Sequence, residues 1–179
     1  MPQGKQRTLQ NIQSFIRKNR PRGLRSRLLR DLQKLRIVKE ADVECAAYHH
    51  LRRYIGEDPK WRVFARKHVK RTGHYIDLLI FKNECPVIAL ELKWGQVNIE
   101  KKDRESLYKA LTKLKVQKAY WLSLVCSEKK KKRLVKRGKE NNVLHRIIVR
   151  LGIVGRDRDD YMQRRELFKS QMAIGRGHK

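Results

Sequence analysis

The sequence predicts a mixed α/β fold, a sheet flanked by helices, and two observations carry that reading. "HYIDLLIF" at 74–81 and "PVIALELKW" at 86–94 are apolar, β-branched runs separated by a short loop, the pattern of an antiparallel hairpin. "KAYWLSLVCS" at 118–127 is continuously apolar and follows a helical segment at 99–115. It reads as a strand buried on both faces that rejoins the sheet by a crossover.

The elements follow in chain order. Leu9, Ile12, Phe15 and Ile16 recur at helical spacing, as do Leu24, Leu28, Leu29, Leu32 and Leu35, and Pro21 and Gly23 break the pattern between them. Residues 5–36 therefore read as a basic helical hairpin. Residues 1–38 form a basic N-terminal helical extension, 39–155 the main domain and 156–179 a polar C-terminal tail. A helix over 42–55 has Asp42 as its expected N-cap and ends at Gly56 and Pro59. "WRVFARKHV" at 61–69 alternates as a strand does. The 99–115 helix sets Leu107, Ala110, Leu111 and Leu114 on one face. "EKKKKRLVKRGKE" at 128–140 reads as a basic helix capped by Ser127, 145–154 as a further strand, and 159–172 as a helix in the tail.

A chain of 179 residues suits one domain of ordinary size. Lys and Arg number 46 against 18 Asp and Glu, a formal charge of +28. Such an excess repels itself and makes sense beside a polyanion. Nucleic acid is the first candidate, because neutralising phosphates releases condensed counterions, and an anionic membrane surface is the weaker fit. Adaptation to heat would raise both signs together. The 3 cysteines, Cys45, Cys85 and Cys126, are odd in number and form no CxxC, which points to reduced thiols and a cytoplasmic location. Residues 1–20 lack the apolar core of a signal peptide. No apolar run approaches the roughly 18 residues of a membrane span.

Three charges interrupt the apolar hairpin: Asp77, Glu91 and Lys93. With a loop from Lys82 to Pro86, Phe81 faces Val87, Leu79 faces Ala89 and Asp77 faces Glu91. Like charges directly opposed destabilise a sheet, and burial raises the cost. A divalent cation reverses the sign, since Mg²⁺ takes one or two carboxylates together with water and phosphate oxygens. Lys93 lies on the Glu91 face, beside such an ion. In the 42–55 helix, Val43, Ala47, Leu51, Tyr54 and Ile55 form an apolar arc, and Glu44 falls inside it. A carboxylate aimed at the core is rarely idle, so Glu44 is expected to approach Asp77 and Glu91.

"YIDLLIF…VIALELKWG" resembles the PD-(D/E)XK nuclease superfamily, in particular the prokaryotic and viral members such as Holliday-junction resolvases and YhcG-type nucleases. The likeness covers about residues 40–127 and is strongest over 73–95. It implies a restriction-endonuclease-like αβββαβ core with a mixed sheet flanked by helices. Asp77 then falls on the metal-binding aspartate, Glu91 and Lys93 on the ExK pair, and Glu44 on the first-helix glutamate. Ile76 stands where the motif's name has proline, and the following helix carries no QxxxY, although Gln96 and Tyr108 are candidates for related roles. The resemblance implies a Mg²⁺-dependent DNA endonuclease, with Mn²⁺ as a substitute. Asp77, Glu91, the Leu92 carbonyl and Glu44 would serve as metal ligands, and Lys93 would orient the nucleophile or act as a base if its pKa is depressed. Structure-selective cleavage of the resolvase kind would call for a homodimer. The alternative is a catalytically inactive nucleic-acid-binding subunit of a restriction or transposition complex.

Phosphate contact is expected from Arg17, Lys18, Arg20, Arg22, Arg25 and Arg27 in the dense "RKNRPRGLRSR" stretch, and from His74 and Gln96 beside the charged cluster. Cys45 and His49, one helical turn apart, make half a zinc site with no second half and read as structural.

Overall fold

A computed structural model describes residues 8–17, 22–34, 36–37, 39–69, 74–127 and 144–152. The elements run α1 (Leu9–Arg17), α2 (Leu24–Gln33), α3 (Glu40–Ile55), β1 (Trp61–Val69), β2 (His74–Lys82), β3 (Cys85–Trp94), α4 (Lys101–Lys113), β4 (Lys118–Ser127) and β5 (Leu144–Gly152). The expected class is found, an α/β fold with one mixed five-stranded sheet in the order β1-β2-β3-β4-β5. The β1–β2 and β2–β3 pairs are antiparallel, and the β3–β4 and β4–β5 pairs are parallel. The basic segment 128–140 and the tail 156–179 lie outside the described residues.

Strand alternation sorts the core into two layers. Leu78, Ile80, Ile88, Leu90, Leu92, Tyr120 and Leu122 face α1, α2 and α3 in one apolar cluster. Leu79, Ala89, Ala119 and Trp121 face Leu107 and Ala110 of α4 in the other. The N-terminal helices add Ile12, Phe15, Ile16, Leu24, Leu28 and Leu32 to the first cluster, so the basic hairpin lays its apolar stripe on the sheet's own core. The Phe15 ring stacks on Tyr54 of α3 at 4.0 Å between centroids.

Four details depart from expectation, each for a local reason. Asp42 is not the N-cap: α3 begins at Glu40, and the Asp42 carboxylate reaches back from the third helical position to accept the Lys39 N–H at 3.1 Å. The β2–β3 loop is a two-residue turn, not a five-residue loop. Asn83 and Glu84 both take positive φ, 47° and 65°, as the hairpin-compatible type I′ turn requires. The turn sets Phe81 opposite Pro86, not Val87, and an irregularity between Ile80 and Phe81 restores Leu79 opposite Ala89 further on. The buried face of α4 is Asp103, Ser106, Leu107 and Ala110, with Leu111 and Leu114 only partly buried at its margin.

Candidate active site

Asp77 and Glu91 lie where β2 and β3 part. The ladder's last paired residues are Leu78 and Leu90. One step on, the Leu92 N–H turns from the ladder and donates to the Asp77 carboxylate at 2.7 Å. Glu91 faces α4, and the Asp77 carboxyl lies close enough for the two to feel one another's charge. Burial pushes Glu91 up to about 9, and the neighbouring Asp77 charge adds to the rise. Asp77 is raised too, chiefly by burial, although the Leu92 N–H works against the shift. Desolvation and the like charge of the neighbour both oppose ionisation of this pair.

Helix α4 supplies the next layer. The Ser106 hydroxyl donates to Glu91 at 2.8 Å. Asp103, one turn earlier, accepts from the Trp121 indole N–H at 3.3 Å and lies 3.5 Å from the Lys93 ammonium. Lys93 is only 8% exposed and also reaches Glu40 of α3 at 3.2 Å. The second Glu40 oxygen accepts the Trp94 N–H at 3.4 Å, which ties the start of α3 to the end of β3. Burial alone would lower the Lys93 pKa, but Asp103, Asp77 and Glu40 outweigh it and hold the pKa above the ordinary lysine value. The depressed pKa that a lysine base needs is therefore not found, and Lys93 acts as a fixed positive charge and donor.

Glu44 lies on the buried face of α3, as expected, and its charge reaches Asp77. It does not join the carboxyl pair as a third ligand. Arg66 of β1 grips it with two bonds, Nε to Oε2 at 2.7 Å and Nη2 to Oε1 at 3.1 Å. A carboxylate this buried needs a partner, and the fork of a guanidinium fits it on both oxygens. Arg66 sits at φ 45°, a left-handed conformation unusual for a side chain inside a strand. Among the described residues, no three His, Cys, Asp or Glu side chains form a group that could hold a metal ion.

The donors present still fit one hydrated Mg²⁺. That ion takes one or two carboxylates and keeps several waters, so a closed cage is not required. The strained Asp77–Glu91 contact is what a divalent charge would relieve. The Leu92 carbonyl leaves β3 on the same edge as the N–H that meets Asp77, as backbone groups of one strand residue do.

The expected phosphate contacts divide. Arg22, Arg25 and Arg27 belong to the α2 side of the sheet, away from the carboxyl pair. Arg25 donates to the Ile148 carbonyl at 3.3 Å, and Arg27 donates to the Arg22 carbonyl at 3.2 Å while lying over the Phe15 ring. Arg17 is exposed at the end of α1, and its charge acts on Tyr120 and His145. Lys18, Arg20 and the His74 side chain lie outside the described residues. The Gln96 side-chain amide donates to Glu100 at 2.7 Å and its backbone carbonyl accepts from Ser123 at 2.5 Å, while its side-chain oxygen has no hydrogen-bond partner among the described residues. Tyr108 points to solvent, 62% exposed and off the buried face of α4.

Sequence reasoning missed Glu40, Arg66, Asp103 and Ser106. Asp103 and Ser106 did leave a signal: three residues apart, they extend the Leu107–Ala110 stripe toward the helix start. Arg66 and Glu40 left none, since charges are ordinary at an edge strand and in a first helical turn. Comparison with family models, curated proteins and solved structures finds no match to the chain. No helix among the described residues is long and apolar enough to cross a membrane.

Proposed function

We propose that the chain is a Mg²⁺-dependent DNA endonuclease of the restriction-endonuclease-like type, with Asp77, Glu91 and Lys93 at its centre. The observation that carries this reading is the Asp77–Glu91 pair at the end of the β2–β3 ladder, held by the Leu92 N–H and the Ser106 hydroxyl, with Lys93 two residues beyond Glu91 on β3. The order α3-β1-β2-β3-α4-β4, with β4 parallel to β3, agrees with the αβββαβ core that the sequence likeness implies. The charge of +28 supports a polyanionic substrate.

When bound, the divalent cation supplies Lewis acidity and neutralises charge at the scissile phosphate. The protein's residues do the rest. Asp77 and Glu91, once ionised, would hold the ion. The Leu92 N–H and the Ser106 hydroxyl fix the two carboxylates against rotation. Asp103 and Glu40 aim Lys93, whose persistent charge steadies the negative charge that builds on the phosphate. Glu44 and Arg66 neutralise one another at the rim of this arrangement.

The test is incubation of branched, duplex and single-stranded DNA with Mg²⁺ or EDTA, using the wild type and Asp77→Ala. Mg²⁺-dependent cleavage by the wild type, lost in the variant with DNA binding kept, is the expected result. Absence of cleavage on all three substrates favours the second reading, a nucleic-acid-binding subunit without activity. That reading draws on Glu44 being engaged by Arg66 and on Lys93 being engaged by two carboxylates.

A further inference from the structure

We propose that Tyr75 is a stacking platform for an unpaired DNA base next to the carboxyl pair, so that the substrate carries single-stranded nucleotides beside the cleaved bond. The inference deepens the nuclease reading and rests on it for the word "cleaved". Its binding half stands alone.

Tyr75 is 66% exposed within a regular strand. A tyrosine brings a large apolar ring, and the usual outcome is burial of that ring with the hydroxyl at the edge. Here the ring meets His68 across the β1–β2 ladder, with centroids 4.9 Å apart and planes inclined by 53°. His68 is exposed as well. Two exposed rings meet here, and nothing among the described residues buries them.

The location ties this surface to the site. Tyr75 and Asp77 are two residues apart on β2, about 6–7 Å along the strand. Helix α4 covers Ile76, Leu79, Ala89, Ala119 and Trp121, while Tyr75 beside them stays exposed. Across the ladder β1 brings His68 against Tyr75, and the same strand carries Arg62, Phe64 and Arg66. Arg62 and Arg66 keep side chains 54% and 66% exposed while each also meets a carboxylate. A basic strip interleaved with exposed rings is how proteins take up single strands: cations track the backbone and rings receive the bases. A duplex keeps its bases stacked inside and has no use for the ring. A protein partner would be expected to meet a contiguous apolar patch, and one tyrosine among arginines does not make one.

The experiment is fluorescence anisotropy in EDTA, where hydrolysis is absent, with a labelled single strand and a blunt duplex of equal length. Wild type, Tyr75→Ala and Tyr75→Phe are compared. Tyr75→Ala is expected to weaken single-strand binding about tenfold and duplex binding by less than about twofold, with Tyr75→Phe at the wild-type level because it keeps the ring. Equal weakening on both DNAs, or none on either, overturns the proposal. Unchanged DNA affinity with an altered sedimentation mass would assign the rings to a second copy of the chain instead, and also overturns it. The nuclease reading fails separately: if Asp77→Asn cleaves at the wild-type rate, that reading falls, while a loss confined to single strands still upholds the stacking role.

Discussion

Glu91 holds its proton to about pH 9 in the folded chain and to about 4.5 when burial and Asp77 are removed. The folded value lies above the unfolded one, so protonation stabilises the fold. That stabilisation is fully present below the unfolded value and is lost as pH rises through the folded one. Asp77 shifts in the same direction. The metal-free protein is therefore expected to lose thermal stability between about pH 5 and pH 9, whereas Glu91→Gln, which keeps the shape without the titration, loses much less. Melting curves in EDTA across that range check it; parallel curves for the two proteins would mean that Glu91 is ionised throughout. Added Mg²⁺ should stabilise most at the alkaline end, where the ion no longer competes with the proton. The same three residues were legible in the sequence for the reason they are costly: Asp77, Glu91 and Lys93 interrupt apolar strands, where a charge needs a cause. Arg66 and Glu40 sit where charge is ordinary, so only coordinates reveal that one grips Glu44 and the other Lys93.

Most elements were legible because their periods differ: alternation for β1, continuous apolarity for β4, and 3.6-residue spacing for α1, α2 and α3. The β2–β3 hairpin shows where period alone stops. Strand runs mark the two arms, but the turn's backbone decides the register, and Asn83-Glu84 lacks the glycine that advertises a type I′ turn. Glu84 holds φ 65° at a conformational cost, and its ion pair with Arg62 is exposed on both sides. Glu84→Gly is thus expected to stabilise the protein by about 0.5–1 kcal/mol, since relief of a left-handed residue outweighs a surface ion pair worth little. A rise in the urea midpoint at constant slope checks this, and a fall would show that the ion pair dominates. On α4, Leu107 and Ala110 are inward as the spacing predicts, with Leu111 and Leu114 packed at the margin, while Asp103 and Ser106 extend the inner face because Lys93, Trp121 and Glu91 offer them partners. Leu107 is fully buried beneath this helix. Leu107→Ala should cost about 2–5 kcal/mol, and Leu114→Ala, at the margin, clearly less. Equal costs in urea unfolding would put the core face of α4 back where the periodicity set it.

At the scale of the molecule, one quantity governs two behaviours in opposite directions. A formal charge of +28 on 179 residues repels itself in the free protein, and counterions relieve that repulsion. Salt near 0.1 M shortens the reach of these charges to about 10 Å, so the free protein should melt at a higher temperature as salt is added. DNA reverses the effect. Each phosphate that the chain neutralises releases a counterion, and added salt opposes the release. If the chain meets 6–10 phosphates, affinity should fall by about 10³–10⁵ between roughly 50 and 200 mM salt. The two measurements share one protein and one salt series, with melting followed by circular dichroism and binding by anisotropy. Opposite slopes identify the charge as a binding surface that DNA completes. If the melting temperature is flat and affinity is also insensitive, the positive charges are already compensated within the fold, and the case for a polyanionic substrate rests on the carboxyl pair alone.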